Sequence, residues 1–176
     1  MITMDATQYL AFVPLLIYGL GLTALMSDWK RLFDVKQIYL PYTLLSLVIT
    51  EVAVYNVFIY IQVIEEFKEQ SYLSYLSFLV SPFLFFMAAQ VFTPDAGVNT
   101  KEYFAKRMPL FYSLFALLIC SHFIYDLVES RYAAIMRLAF MVLIIGVGFS
   151  RRPLLTYLVV LCWVVSLFIR GSITVA

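Results

Sequence analysis

Charge is scarce in this sequence. Charged residues make up 13% of the chain, against about 25% in ordinary soluble domains. So few charges cannot clothe a water-facing surface around a core, which excludes an ordinary soluble fold. The net charge is +1, so no polyanion-binding face is implied and nucleic acid is excluded as a partner. Histidine occurs once and cysteine twice. Cys120 and Cys162 lie far apart inside apolar runs, with no CxxC and no metal-ligand spacing, so they read as small buried hydrophobes. Phosphate loops, dinucleotide fingerprints and HExxH are absent as well. The sequence therefore offers no cofactor and no metal site, and the expectation is a protein that is not an enzyme. The N-terminus, "MITMDATQYLAF", lacks the basic stretch of a cleaved leader, so its apolar run is expected to be retained as a span.

What is present is apolar length. Hydrophobic residues make up 64% of the chain, and about 20 of them in a row cross a bilayer as a helix. Six runs fit: 9–26, 41–64, 72–93, 109–128, 132–149 and 153–169. They do not alternate polar with apolar, which excludes a membrane barrel in favour of helices. The expected fold is all-α, an integral-membrane bundle of six helices with short linkers, forming one domain over 1–176 with the lipid bilayer as its main partner.

Lys30, Arg31, Lys36, Lys101, Lys106, Arg107, Arg151 and Arg152 fall on one side, and Lys68, Arg131, Arg137 and Arg170 on the other. The richer side is expected in the cytoplasm, with both termini outside and the protein multi-pass in the cell membrane. Pro41, Pro109 and Pro153 are read as helix starts on that cytoplasmic side. The linkers there, "SDWKRLFDVKQIY" and "TPDAGVNTKEYFAKRM", are surface elements that either anchor to lipid or dock a soluble partner. The second of them ends as a charged helical approach to span four.

Glu51 is the residue that demands explanation. It comes ten residues after Pro41, about 15 Å into a core about 30 Å thick. A carboxylate there must be neutral, paired, or turned toward the interior. Tyr55 and Gln62 share its helical face, and Asn56 adds polarity elsewhere. Three readings stand: a proton or ion relay, a protonated glutamate that ties helices together, and a polar site that senses or binds a partner.

Span four carries the second cluster. His122, Asp126 and Glu129 form one stripe, and Arg137 of span five reaches a similar depth, so Asp126 or Glu129 can pair with it. The stripe is either an acid–base relay or structural pairing. A Ser121–His122–Asp126 triad is a poor fit, because adjacent helical residues point about 100° apart. Gly19, Gly21, Gly146 and Gly148, with Ser77 and Ser81, are small enough for close helix packing, within the chain or between copies in a homo-oligomer. Pro82 follows Ser81 and frees a backbone carbonyl in mid-span. Gln90 is the main polar candidate in the cytoplasmic half.

The arrangement "LGLTALMSDWKRL", then "SFLVSPFLFFMAAQVFTPD" and "KEYFAKRMPLFYSLFALL", resembles a family of small bacterial multi-span membrane proteins. The likeness covers roughly residues 15–128. It consists of a glycine-leucine first span with a basic turn, and a third span ending in a proline-aspartate turn. The family's second span often carries a glutamine with paired tryptophans, where this chain is rich in tyrosine. The resemblance implies a multi-span helical fold and carries no activity. The expected function is channel-like or transporter-like, with an ion or proton path through Glu51, Tyr55, Gln62, His122, Asp126 and Arg137. The alternative is a sensor or anchoring module that transports nothing.

Overall fold

Why the chain forms this bundle follows from the apolar runs and the way their ends are capped. The structure is a computed structural model and describes residues 6–34, 38–63, 71–124 and 131–170. Seven α-helices occur among the described residues: α1 (Ala6–Ser27), the single turn α2 (Lys30–Phe33), α3 (Leu40–Val63), α4 (Tyr72–Phe92), α5 (Thr100–Ile124), α6 (Arg131–Ser150) and α7 (Thr156–Arg170). A 3₁₀ turn, Pro153–Leu155, leads into α7. Among the described residues, three segments are long and apolar enough to cross a membrane: Leu40–Tyr60, Tyr72–Phe92 and Thr100–Phe123. Phe12–Ser27, Ala134–Ser150 and Pro153–Phe168 are shorter apolar helices.

The outward faces carry Leu16, Leu20, Leu47, Val54, Val142, Phe149, Leu161 and Val165, all exposed. A water-soluble surface does not tolerate apolar cover on every side. The fold is an all-α, multi-span integral-membrane helix bundle.

Neighbouring helices run round the bundle in the order α1, α4, α5, α6, α7, α3, and α3 closes back onto α1. A further contact between α3 and α5 crosses the middle. One end collects Lys30, Arg31, Lys101, Lys106, Arg107, Arg151 and Arg152. It is called the basic end below, and the other the far end. Aromatic rings fill the basic half of the core. Tyr42 stacks on Phe92 at 4.4 Å, and Phe104 and Phe111 pack edge-on or tilted against Phe92 at 6.0 and 5.0 Å.

The start of α5 differs from expectation. Pro109 is not in its first turn. The helix begins nine residues earlier, at Thr100, because the Asn99 side chain accepts from the amides of Lys101 and Glu102 at 3.0 and 3.2 Å. That N-cap satisfies two donors that would otherwise be orphans. The charged approach and the span are therefore one helix, with Pro109 in its interior. Gly97, at φ 84°, supplies the left-handed turn just before the cap.

Tyrosine hydroxyls hold this bundle together. A proline within a helix leaves the carbonyl four residues earlier without its donor. In α4 that proline is Pro82 and the carbonyl belongs to Phe78, which accepts from the Tyr60 hydroxyl of α3. In α1 it is Pro14, and the Leu10 carbonyl accepts from the Tyr75 hydroxyl of α4 at 3.0 Å. The last turn of α4 is treated the same way, with Tyr103 donating to Val91 O at 2.9 Å. With little water in a bilayer core to supply such donors, each hydroxyl satisfies a backbone group that would be costly to bury alone.

Candidate functional site

The centre of the site is α3, because it touches α1, α5 and α7 and carries the polar groups. Glu51 is half-buried. Its Oε2 accepts from the Trp163 indole Nε1 of α7 at 2.7 Å. An indole N–H only donates, so this bond persists whether the carboxyl is ionised or protonated. In the protonated form the proton belongs on Oε1. Trp163 is itself fixed by Phe140 and Phe115, whose ring centroids lie 5.9 and 6.3 Å from it.

The second pair lies nearer the far end. Asn56 is buried at 4% exposure. Its amide nitrogen donates to Val52 O at 2.7 Å, which turns Oδ1 toward His122 Nε2 at 2.8 Å. An amide oxygen accepts, so His122 Nε2 must carry the proton. Glu51 and Asn56 stand about 140° apart around α3 and about 7.5 Å apart along it. The helix thus presents one polar group toward α7 and another toward α5.

The remaining expected positions fall out as follows. Tyr55 is half-buried one turn beyond Glu51, and Arg137 is half-buried on α6. Asp126 and Glu129 lie outside the described residues, as does the side chain of Gln62. Ser121 donates to Leu118 O of its own helix at 2.7 Å. Ser81 pairs with the Tyr18 hydroxyl at 2.9 Å, and Ser77 donates to Ser74 O at 2.6 Å. Gly21 and Gly148 sit where helices touch: an added Cβ would meet the Phe85 ring at 2.6 Å and Tyr112 Cβ at 2.7 Å respectively. Gly19 and Gly146 have nothing within 4 Å among the described residues, so they face away from the helices described around them. Among the described residues no group of three or more His, Cys, Asp or Glu could hold a metal ion.

The basic end holds a different arrangement. Asp28 is 8% exposed. Arg31 Nε lies 2.6 Å from its Oδ1, and the Tyr42 hydroxyl donates to its Oδ2 at 2.8 Å. The same guanidinium donates to the carbonyls of Asp95 and, at 2.9 Å, Val98. Burial pushes the Asp28 carboxyl above its ordinary value, against the pull of the Tyr42 hydroxyl and the Arg31 charge. The two linkers read separately in the sequence are thus clamped together. Beside the clamp, a polar cleft of about 500 Å³ lies between the ends of α1 and α4, lined by Ser27, Gln90, Thr93, Asp95 and Tyr103 among others.

Trp163 and Asn56 were not among the expected site residues. A depth signal for Trp163 exists: it follows Pro153 by ten residues, as Glu51 follows Pro41, and both prolines begin helical segments at the basic end. For Asn56 the signal is a polar, weakly helix-forming residue inside an apolar helix, which needs a partner when buried.

Compared with known proteins, the chain matches no family model, no curated protein and no solved structure. What stands is a multi-span, largely helical membrane protein of this size.

Proposed function

We propose that this chain crosses the bilayer six times and conducts protons or small cations along a path that uses the Glu51 carboxylate. The function is channel-like or transporter-like, and no catalytic chemistry is assigned. The observation that carries this reading is the Glu51–Trp163 pair. A carboxyl held in mid-helix by a donor that serves both of its protonation states is suited to gain and lose a proton without losing its place. His122 with Asn56 extends the path toward the far end, where Tyr55, Gln62, Asp126 and Arg137 are further candidates. Gln90 and the cleft extend it toward the basic end. The basic residues favour that end in the cytoplasm, with the termini outside. Gly19 and Gly146 offer outward faces on which copies could associate in the cell membrane. Membership of the small bacterial family resembled by residues 15–128 is part of the same proposal.

The test is ion and proton flux in proteoliposomes across a pH series. The parent should conduct, and Glu51→Gln, shown folded and inserted, should not. Equal flux from both proteins would refute the path.

The Arg31 clamp favours a second reading, in which the basic end is a firm platform that docks a soluble partner. A linker that only joins helices has no need to be tied to another. On this reading Glu51→Gln leaves function intact and Arg31→Ala destroys it.

A further inference from the structure

Two proline breaks lie in helices that pack against each other, Pro14 in α1 and Pro82 in α4. Both carbonyls freed by these breaks, Leu10 O and Phe78 O, accept a tyrosine hydroxyl from another helix. The donors form a relay. Tyr60 on α3 holds the Pro82 break of α4, and Tyr75, in the α4 segment before that break, holds the Pro14 break of α1.

We propose that the far-end segments of α1 (Ala6–Val13) and α4 (Tyr72–Val80) form one latched joint, fastened to α3 through Tyr60 and to each other through Tyr75, with Ser81 held at the hinge by the Tyr18 hydroxyl. At each break a side chain from outside the helix replaces the helix's own hydrogen bond. The segment beyond the break is then free to change its angle once that side chain lets go. One such bond is weak enough for a minor open state to be populated and for a modest perturbation to shift it. Because Tyr75 rides on the α4 segment, release at Tyr60 moves both segments, while release at Tyr75 moves α1 alone. The joint is independent of the conduction reading, and its test does not use flux.

Spin-label distances on the full chain in lipid nanodiscs provide that test. Cys120 and Cys162 are first replaced by serine. Labels are placed at the exposed positions Leu73 and Phe12, each paired with a label at the exposed Leu161 of α7. Tyr60→Phe should raise the population of a second distance roughly three- to tenfold at both Leu73 and Phe12. Tyr75→Phe should do so at Phe12 only. In a Pro82→Ala background residue 82 regains its amide donor, the Phe78 carbonyl no longer needs Tyr60, and Tyr60→Phe should be silent. The proposal is overturned if Tyr60→Phe leaves both distributions unchanged, if it moves Leu73 without Phe12, or if its effect survives in full with Pro82→Ala.

Discussion

Asp28 and Glu51 are two carboxylates in one small bundle, and they are held by different donors. Asp28 sits at the basic end with an arginine on one oxygen and a tyrosine hydroxyl on the other. Its role extends through Arg31 to the backbone of a loop more than sixty residues away. Glu51 sits within α3 and accepts from an indole. A carboxylate tied to a guanidinium is committed to that ion pair, and removing either partner strands a buried charge. The indole that donates to Glu51 serves its carboxyl in both protonation states. The first arrangement builds structure, and the second leaves chemistry open.

The largest expected effect breaks the structural side of this comparison. Arg31→Ala leaves Asp28 buried without its cation and releases the loop carbonyls, so it should cost roughly 3–5 kcal/mol in a thermal or denaturant unfolding series in detergent. Glu51→Gln should cost under about 1 kcal/mol in the same series, because the amide oxygen still accepts from Trp163. A Glu51→Gln loss as large as that of Arg31→Ala would erase the distinction.

Next come the two kinds of glycine. Gly148→Ala should cost about 1–3 kcal/mol, since its Cβ would press on Tyr112 Cβ at 2.7 Å with Met108 O close behind. Gly146→Ala, with open space around it, should instead gain up to about 1 kcal/mol from helix propensity. The pair of midpoints checks both signs.

The Glu51 side is sharpened by Trp163→Phe. In a double-mutant cycle with Glu51→Ala, which removes the acceptor, a coupling near 1.5–3 kcal/mol indicates an ionised acceptor, and one near 0.5–1.5 kcal/mol a neutral one. Repeating the cycle across pH should show the coupling pass from the larger value to the smaller as the pH falls.

The smallest effect lies in the pH dependence of stability. Burial raises the Asp28 carboxyl, so the folded chain binds that proton more tightly than the unfolded chain. The stability this lends is complete below about pH 3.9, the ordinary aspartate value, and is lost as the pH rises through the raised value. Asp28→Asn should remove this slope from the unfolding midpoint in that acidic window and leave the slope above it unchanged.

Much of this bundle is written locally in the sequence. Apolar runs place the helices because length and hydropathy are properties of contiguous residues. The carbonyl freed by Pro82 is legible for the same reason: the proline and the carbonyl lie four residues apart on one helix. The start of α5 was legible too, in Asn99 with Glu102 three residues on, but the more conspicuous Pro109 drew the boundary. The partners were not legible. Tyr60 reaching Phe78, Tyr75 reaching Leu10, Trp163 reaching Glu51 and Arg31 reaching Val98 all depend on which helices and loops become neighbours. The order α1, α4, α5, α6, α7, α3 is not the order of the chain. His122 illustrates the limit: its spacing to Asp126, which lies outside the described residues, is written along one helix, while Asn56, the partner of its Nε2, comes from another.

On the proposed reading, Glu51 serves a path while Asp28 serves the fold. The most direct measurement is proton flux in proteoliposomes, normalised to folded, inserted protein, for the parent, Glu51→Gln and Asp28→Asn. The predicted result is flux lost in Glu51→Gln and retained per folded molecule in Asp28→Asn. Flux retained in Glu51→Gln, or lost only in Asp28→Asn, would contradict it.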